Sequence, residues 1–312
     1  MKSVALAALL LFTALASGQV LERTLPLPGT LGPPSGTLSL AYNNRNRLMY
    51  IGGDASDSVL VVDADRCRSV ERVAVGDGVR AMCYNPLANK LYCAYVRADT
   101  VAVIDGSSQL VLARIGVGHS ARSFCCDSID DKLYVGDWAS GSVRVIDCRG
   151  DSVVRTIDCG RGGSVFAPNV MCFAASTRAV FCADSRDSSV VVIDCSADTV
   201  LTVISVGVEP LAFCHNPTNN RVYCLCGSDG ILYGIDAATN RVVSTIQCAC
   251  AGTLACDPAR NVLFMPDDDS LVVVDCSADT ILAKVELATE GAWFVAYNSA
   301  DDKIYVAHEE SG

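Results

Sequence analysis

Apolar positions along this chain come in short runs, not at helical spacing. In the segment 79–118 they cluster near Ala81–Tyr84, Lys90–Tyr95, Thr100–Ile104 and Leu110–Gly116. Gly, Asn, Asp and Pro fill the intervals. Short runs rich in β-branched and aromatic residues, closed by turn formers, predict four strands. They leave no room for a helix of ordinary length.

The four-run unit recurs. An apolar–aromatic pair closes at Tyr50, Tyr92, Tyr134, Phe181, Tyr223, Phe264 and Tyr305, at separations of 42, 42, 47, 42, 41 and 41 residues. A β-branched run ends on Asp63, Asp105, Asp147, Asp194, Asp236 and Asp275. The turns Asn85-Pro86, Asn216-Pro217 and Asp257-Pro258 precede three of the aromatic pairs. One small twisted sheet cannot cover both of its apolar faces, so such units stack on neighbours. Four strands in every 40-odd residues are the pattern of propeller blades. The expected fold is all-β, a seven-bladed β-propeller of four-stranded blades. Its repeats fall near 37–76, 79–118, 121–160, 169–207, 210–249, 252–288 and 291–312 plus 20–28. The last blade reads as incomplete, with no third strand, and the natural gene product is expected to continue past Gly312. Leu21-Glu22-Arg23-Thr24-Leu25 matches the outer run Val153-Val154-Arg155-Thr156-Ile157, so the N-terminal segment is expected to close that blade.

Tyr134-Val135-Gly136-Asp137 and Tyr305-Val306-Ala307-His308 resemble the YVTN repeat of exported seven-bladed propellers. Tyr92-Cys93-Ala94-Tyr95, Phe181-Cys182-Ala183-Asp184 and Phe264-Met265-Pro266-Asp267 are looser copies. Val145-Ile146-Asp147 and Val192-Ile193-Asp194 resemble that family's "VID" element. The resemblance runs from about Thr37 to the end of the chain and implies the propeller fold and export. It implies no single activity, because such propellers serve many roles. The departure is cysteine, which stands where the family has Val or Ala.

The N-terminus adds a compartment. Lys2, the 12-residue run Val4–Leu15 broken only by Thr13, and the small residues Ala14, Ala16, Ser17 and Gly18 form a secretory leader pattern. Residues 1–18 are expected to be a signal peptide, cleaved after Ala16 or Gly18, and 19–312 a single propeller domain. The run is too short to span a bilayer as a helix, and no membrane insertion is expected after cleavage. The protein is expected to be exported, to the periplasm, the cell surface or the medium. With 24 Lys+Arg against 35 Asp+Glu, the net charge is −11. That surface repels phosphate backbones and anionic lipid, so no nucleic acid partner is expected.

The 17 cysteines all follow the leader, and their odd number leaves at least one unpaired. Cys83/Cys93, Cys172/Cys182 and Cys214/Cys224 each lie ten apart across the same turn. That offset is expected to put both thiols on one face of neighbouring strands, with sulfurs roughly 4–7 Å apart. Buried thiols acting as small hydrophobes, cross-strand disulfides and a metal site are the three readings. Most of the thiols are expected to be unbonded.

Catalytic motifs are missing. His119, His215 and His308 occupy different repeat positions, and no G-x-S-x-G, H-E-x-x-H or P-loop occurs. Gly160-Arg161-Gly162-Gly163 is a loop insertion that accounts for the 47-residue spacing. Stepping back three residues from Cys83 and its equivalents gives Leu38, Arg80, Arg122, Asn169, Leu211, Gly252 and Trp293. Those starts of inner strands should ring one mouth of a central channel. The candidate ligand residues are Arg80, Arg122, Asn169 and Trp293, with Trp138, Asp137 and His119 in nearby loops. Two Arg and a Trp suit a carboxylate or a sugar-like ligand. The expected function is a non-enzymatic binding or scaffolding propeller, without cofactor or metal, either alone or as a module of a longer surface or periplasmic protein. Its partner is a protein or a small anionic or sugar-like ligand. The alternative is an enzyme using the same face. A lactonase-like hydrolase would need a metal cage, yet Asn169 is the one ligand type among the seven positions. A quinone-cofactor dehydrogenase would need a Trp in each blade, and there are two Trp.

Overall fold

The computed structural model describes residues 4–10, 20–26, 38–53, 56–66, 68–76, 78–95, 99–118, 121–137, 139–159, 171–185, 187–248, 252–287, 291–299 and 302–309. Among the described residues every regular element is a strand. Two strands, β1 (Val4–Leu10) and β2 (Val20–Pro26), precede the repeats. Six sheets are then antiparallel meanders of four consecutive strands. They run from β3 (Leu38–Asn43) to β6 (Arg68–Ala74), β7 (Val79–Asn85) to β10 (Val111–Gly116), β11 (Ala121–Asp127) to β14 (Ser152–Asp158), β15 (Met171–Ala174) to β18 (Thr199–Ser205), β19 (Pro210–Asn216) to β22 (Arg241–Gln247) and β23 (Ala255–Asp257) to β26 (Thr280–Glu286). A further sheet has the order β2–β1–β28–β27, with β27 at Ala292–Asn298 and β28 at Lys303–Glu309.

The chain divides into two compact units. One holds Thr30–Arg186 and Val191–Val203, with the first three sheets and most of the fourth. The other holds Met1–Gly29, Asp187–Val190 and Ile204–Gly312, with the fifth and sixth sheets and the β2–β1–β28–β27 sheet.

Within each unit the core lies between successive sheets. Tyr92, Ala94, Val101 and Val103 of the second sheet meet Leu133, Val135 and Ile146 of the third. The second and third strands of a sheet are buried on both faces, as in β8 (Lys90–Tyr95) and β9 (Thr100–Asp105), whereas the fourth strand is largely exposed. That gradient explains why the middle strands read as unbroken apolar runs.

Each first hairpin closes through a four-residue loop whose last member is left-handed. Asn89, Asn220 and Asn261 take φ 52, 54 and 55°, a conformation that Asn tolerates better than most residues. The Asn and Asp read as turn formers do more than turn. Asn85 is fully buried and its Oδ1 accepts from the amides of Leu87 and Ala88 at 2.9 and 3.3 Å. Its Nδ2 donates to Asp131 of the next sheet at 2.7 Å, and Asn216 donates likewise to Asn261 at 2.7 Å.

The Asp ending each third strand caps the following turn. Asp105 accepts from the amides of Ser107 and Ser108 at 3.0 and 2.7 Å, and Asp236 from Ala238 and Thr239 at 3.1 and 2.8 Å. These bonds, above all to the Ser108 and Thr239 amides, hold both carboxyls below the usual carboxylate range; Asp63 and Asp275 are lowered in the same way, and Asp194 chiefly by the Ser196 hydroxyl. A group depressed on folding contributes stability above its unfolded pKa and loses it as pH falls through the folded value. The thermal midpoint is therefore expected to fall as pH drops below about 4, the ordinary Asp value. Asp236→Asn, which keeps an acceptor but not the charge, should make that fall shallower. An unchanged slope would remove Asp236 from the account.

Two expectations are corrected, the first being the missing third strand of the last sheet. The Val4–Leu10 run forms a strand. It pairs with β28 from Val4↔Glu309 to Leu10↔Lys303, and with β2 from Ala5↔Pro26 to Leu10↔Val20. The sheet containing Lys303–Glu309 thus has the third strand that seemed missing. Leu21–Leu25 does share that sheet, one strand removed from β28.

The cysteine pairs are the second correction. Cys83 pairs across the hairpin with Tyr92, and Cys93 with Met82. Cys172 pairs with Phe181 and Cys182 with Met171, while Cys214 pairs with Tyr223 and Cys224 with Phe213. A four-residue loop makes opposed residues differ by odd numbers, as Asn85↔Lys90 shows. An offset of ten therefore lands on opposite faces of the sheet. Cys83 joins the cluster around Tyr92 and Leu133, and Cys93 the one around Tyr50 and Leu91. The register is the same in all three sheets, as expected, but the thiols do not face each other.

Candidate functional site

The starts of the inner strands carry a repeated irregularity. The pairing shifts between Val79 and Ala81, between Ala121 and Ser123, between Pro210 and Ala212, and between Ala292 and Phe294. Arg80, Arg122, Leu211 and Trp293 are the residues left out of the ladder. A bulge re-aims its extra side chain and ends regular pairing, which is why bulges gather at functional rims. In the first sheet Leu38 pairs normally with Gly53.

Arg80 and Arg122 occupy equivalent bulges on β7 and β11, adjacent inner strands of one unit. Both side chains are half-buried. The Nε of Arg80 is buried and has no hydrogen-bond partner. A guanidinium nitrogen withheld from both water and protein acceptors is costly unless a ligand completes it. Trp293 lies in the other unit, with about half of its surface exposed, and its carbonyl accepts from the Thr253 amide at 2.9 Å.

Asp137 is taken up by structure. It ends β12 (Lys132–Asp137), is almost fully buried, accepts from the Ala139 amide at 3.1 Å and pairs with Arg144 at 3.7 Å. Its carboxylate also fills the space beside Gly118, where a Cβ would come within 2.6 Å of Oδ2 at φ +89°. Asn169, Trp138 and His119 lie outside the described residues. Among the described residues no group of three His, Cys, Asp or Glu side chains could hold a metal ion. The bulges themselves have no sequence signature: Arg, Leu and Trp share the position, and backbone pairing alone reveals it.

Four-stranded antiparallel sheets repeated along the chain define a β-propeller, with Arg80 and Arg122 at the start of two adjacent blades. No protein-family model matches the sequence, and no curated protein matches it. Among solved structures, the chain is similar to hydrazine synthase of Kuenenia stuttgartiensis, with a TM-score of 0.70 at 17% identity over 88% of this chain and 91% of that one. At that identity the likeness is one of fold.

Proposed function

We propose that this chain is an exported, non-enzymatic binding propeller of the YVTN-repeat kind, whose ligand is a small carboxylate or acidic sugar held at Arg80 and Arg122. The observation that carries the reading is the buried Arg80 Nε without a partner, in a bulge matched by Arg122 on the next inner strand. Two cations set at equivalent positions in a chain of net charge −11 suit an anion, and a planar guanidinium suits a carboxylate in particular. Export rests on Lys2 and the leader-like run after it. A seventh blade that includes β27 and β28 is part of this reading, supported by their pairing in one sheet. Cleavage after Ala16 or Gly18 would take β1 with it, so the intact mass of the secreted protein reports whether that strand stays.

Titration calorimetry with citrate and glucuronate tests the site. Arg80→Ala is expected to weaken binding by roughly ten-fold or more, about the worth of one charge-assisted hydrogen bond. Arg80→Lys, with the charge but not the fork, should recover only part of it. Equal binding by wild type and an Arg80→Ala/Arg122→Ala variant would remove the site.

A further inference from the structure

The strand register that separates Cys83 from Cys93 brings Cys83 to a different partner. Cys83 lies opposite Tyr92 and faces the third sheet. Cys126 lies opposite Leu133, one residue beyond the position equivalent to Cys83, and so faces back toward the second sheet. Both pack on one cluster of buried side chains. Each is partly exposed, whereas Cys148 in the same cluster is fully buried. The arrangement is repeated in the other unit. Cys214 lies opposite Tyr223 and Cys256 opposite Leu263, both packed on the cluster that holds the buried Cys276. Between the third and fourth sheets the equivalent of Cys126 is Phe173, packed in the same cluster as Cys125.

We propose that Cys83–Cys126 and Cys214–Cys256 are two redox-reactive thiol pairs, each closing into a disulfide between adjacent blades by exchange with a small-molecule disulfide such as oxidised glutathione. The Cys83 thiolate attacks one glutathione sulfur, breaking its S–S bond and expelling the first glutathione thiolate. Cys126 then loses its proton and attacks the Cys83 sulfur of the mixed disulfide, expelling the second. Two protein thiols are oxidised to one disulfide, one glutathione disulfide is reduced to two thiols, and the two protons end on those thiols. Cys83 attacks first, because the neighbouring Cys83 side chain and burial both push the Cys126 thiol up and hold it protonated. Partial exposure gives a soluble disulfide access that the deeper thiols lack.

The folded full chain is incubated with oxidised glutathione, quenched in acid, alkylated and digested for peptide mass spectrometry. The expected result is two crosslinks, 83–126 and 214–256, each lowering the mass by two hydrogens and each reversed by dithiothreitol. The oxidised form should melt at a higher temperature than the reduced form. Cys83→Ser should lose the first crosslink and keep the second. Persistent glutathione adducts on Cys83, a Cys83–Cys93 or Cys214–Cys224 crosslink, or no crosslink in the wild type would overturn the proposal.

Discussion

Phe264→Ala is expected to destabilise the protein by about 3–5 kcal/mol, the usual cost of emptying a buried aromatic site. Phe264 is the repeat aromatic of β24 (Val262–Asp267) and has 1% of its surface exposed. It packs among Leu271 and Val273 of its own sheet and Ala292, Val295, Ile304 and Val306 of β27 and β28, with the Tyr297 ring 6.4 Å away. Those neighbours belong to rigid strands and cannot collapse into the gap. The loss is a large fraction of an ordinary domain's stability. Phe264→Leu should cost far less, about 1 kcal/mol, because most of the volume remains. Urea unfolding measures both. Hydrogen exchange should show β27 and β28 losing protection first in the alanine variant. A uniform loss across all sheets would contradict the local role given to Phe264.

The second large effect is expected at Asp198. Its Oδ2 accepts from Lys132 Nζ at 2.8 Å and its Oδ1 from the Tyr134 hydroxyl at 2.6 Å. Both charged side chains are under one-fifth exposed, and Lys132 also donates to the Cys195 carbonyl at 2.9 Å. Lys90, Tyr92 and Asp151 repeat the arrangement between the second and third sheets. Removing the carboxylate strands a mostly buried ammonium, which costs about 3 kcal/mol. Asp198 also sits at φ 51°, so alanine adds roughly 1 kcal/mol of backbone strain that asparagine avoids. Asp198→Ala should therefore be clearly worse than Asp198→Asn by chemical denaturation. Adding Lys132→Met to either should recover part of the loss, because the stranded charge goes with it. Equal penalties for Ala and Asn would mean that backbone strain contributes nothing at this turn.

The repeat was legible because it rests on local physics. Tyr50, Tyr92, Tyr134, Phe181, Tyr223 and Phe264 are among the largest fully buried side chains, and a small sheet needs such a residue at the same place in every unit. The Asp at the end of each third strand was legible for a similar reason, since its carboxylate caps amides two or three residues along its own chain. Strand existence, turn positions and spacing thus follow from the residues alone.

Tertiary structure decided the rest. A run such as Val4–Leu10 has the same unbroken apolarity as β5 (Ser58–Asp63), which is buried on both faces. Its apolarity suits a leader and a strand alike, and its pairing with β28 and β2 is visible only in the tertiary structure. Facing is a matter of parity in β structure, so the length of one hairpin loop reversed the cysteine reading and turned Cys83 toward Cys126 instead of Cys93. The bulges at Arg80 and Arg122 are backbone events between strands, invisible to side-chain pattern. The sequence by itself determined the repeated four-stranded unit, because burial and turn chemistry act within about 42 residues. Which thiols meet, where Val4–Leu10 goes and which arginine nitrogen is left without an acceptor depend on register and on neighbouring sheets, which no local pattern encodes.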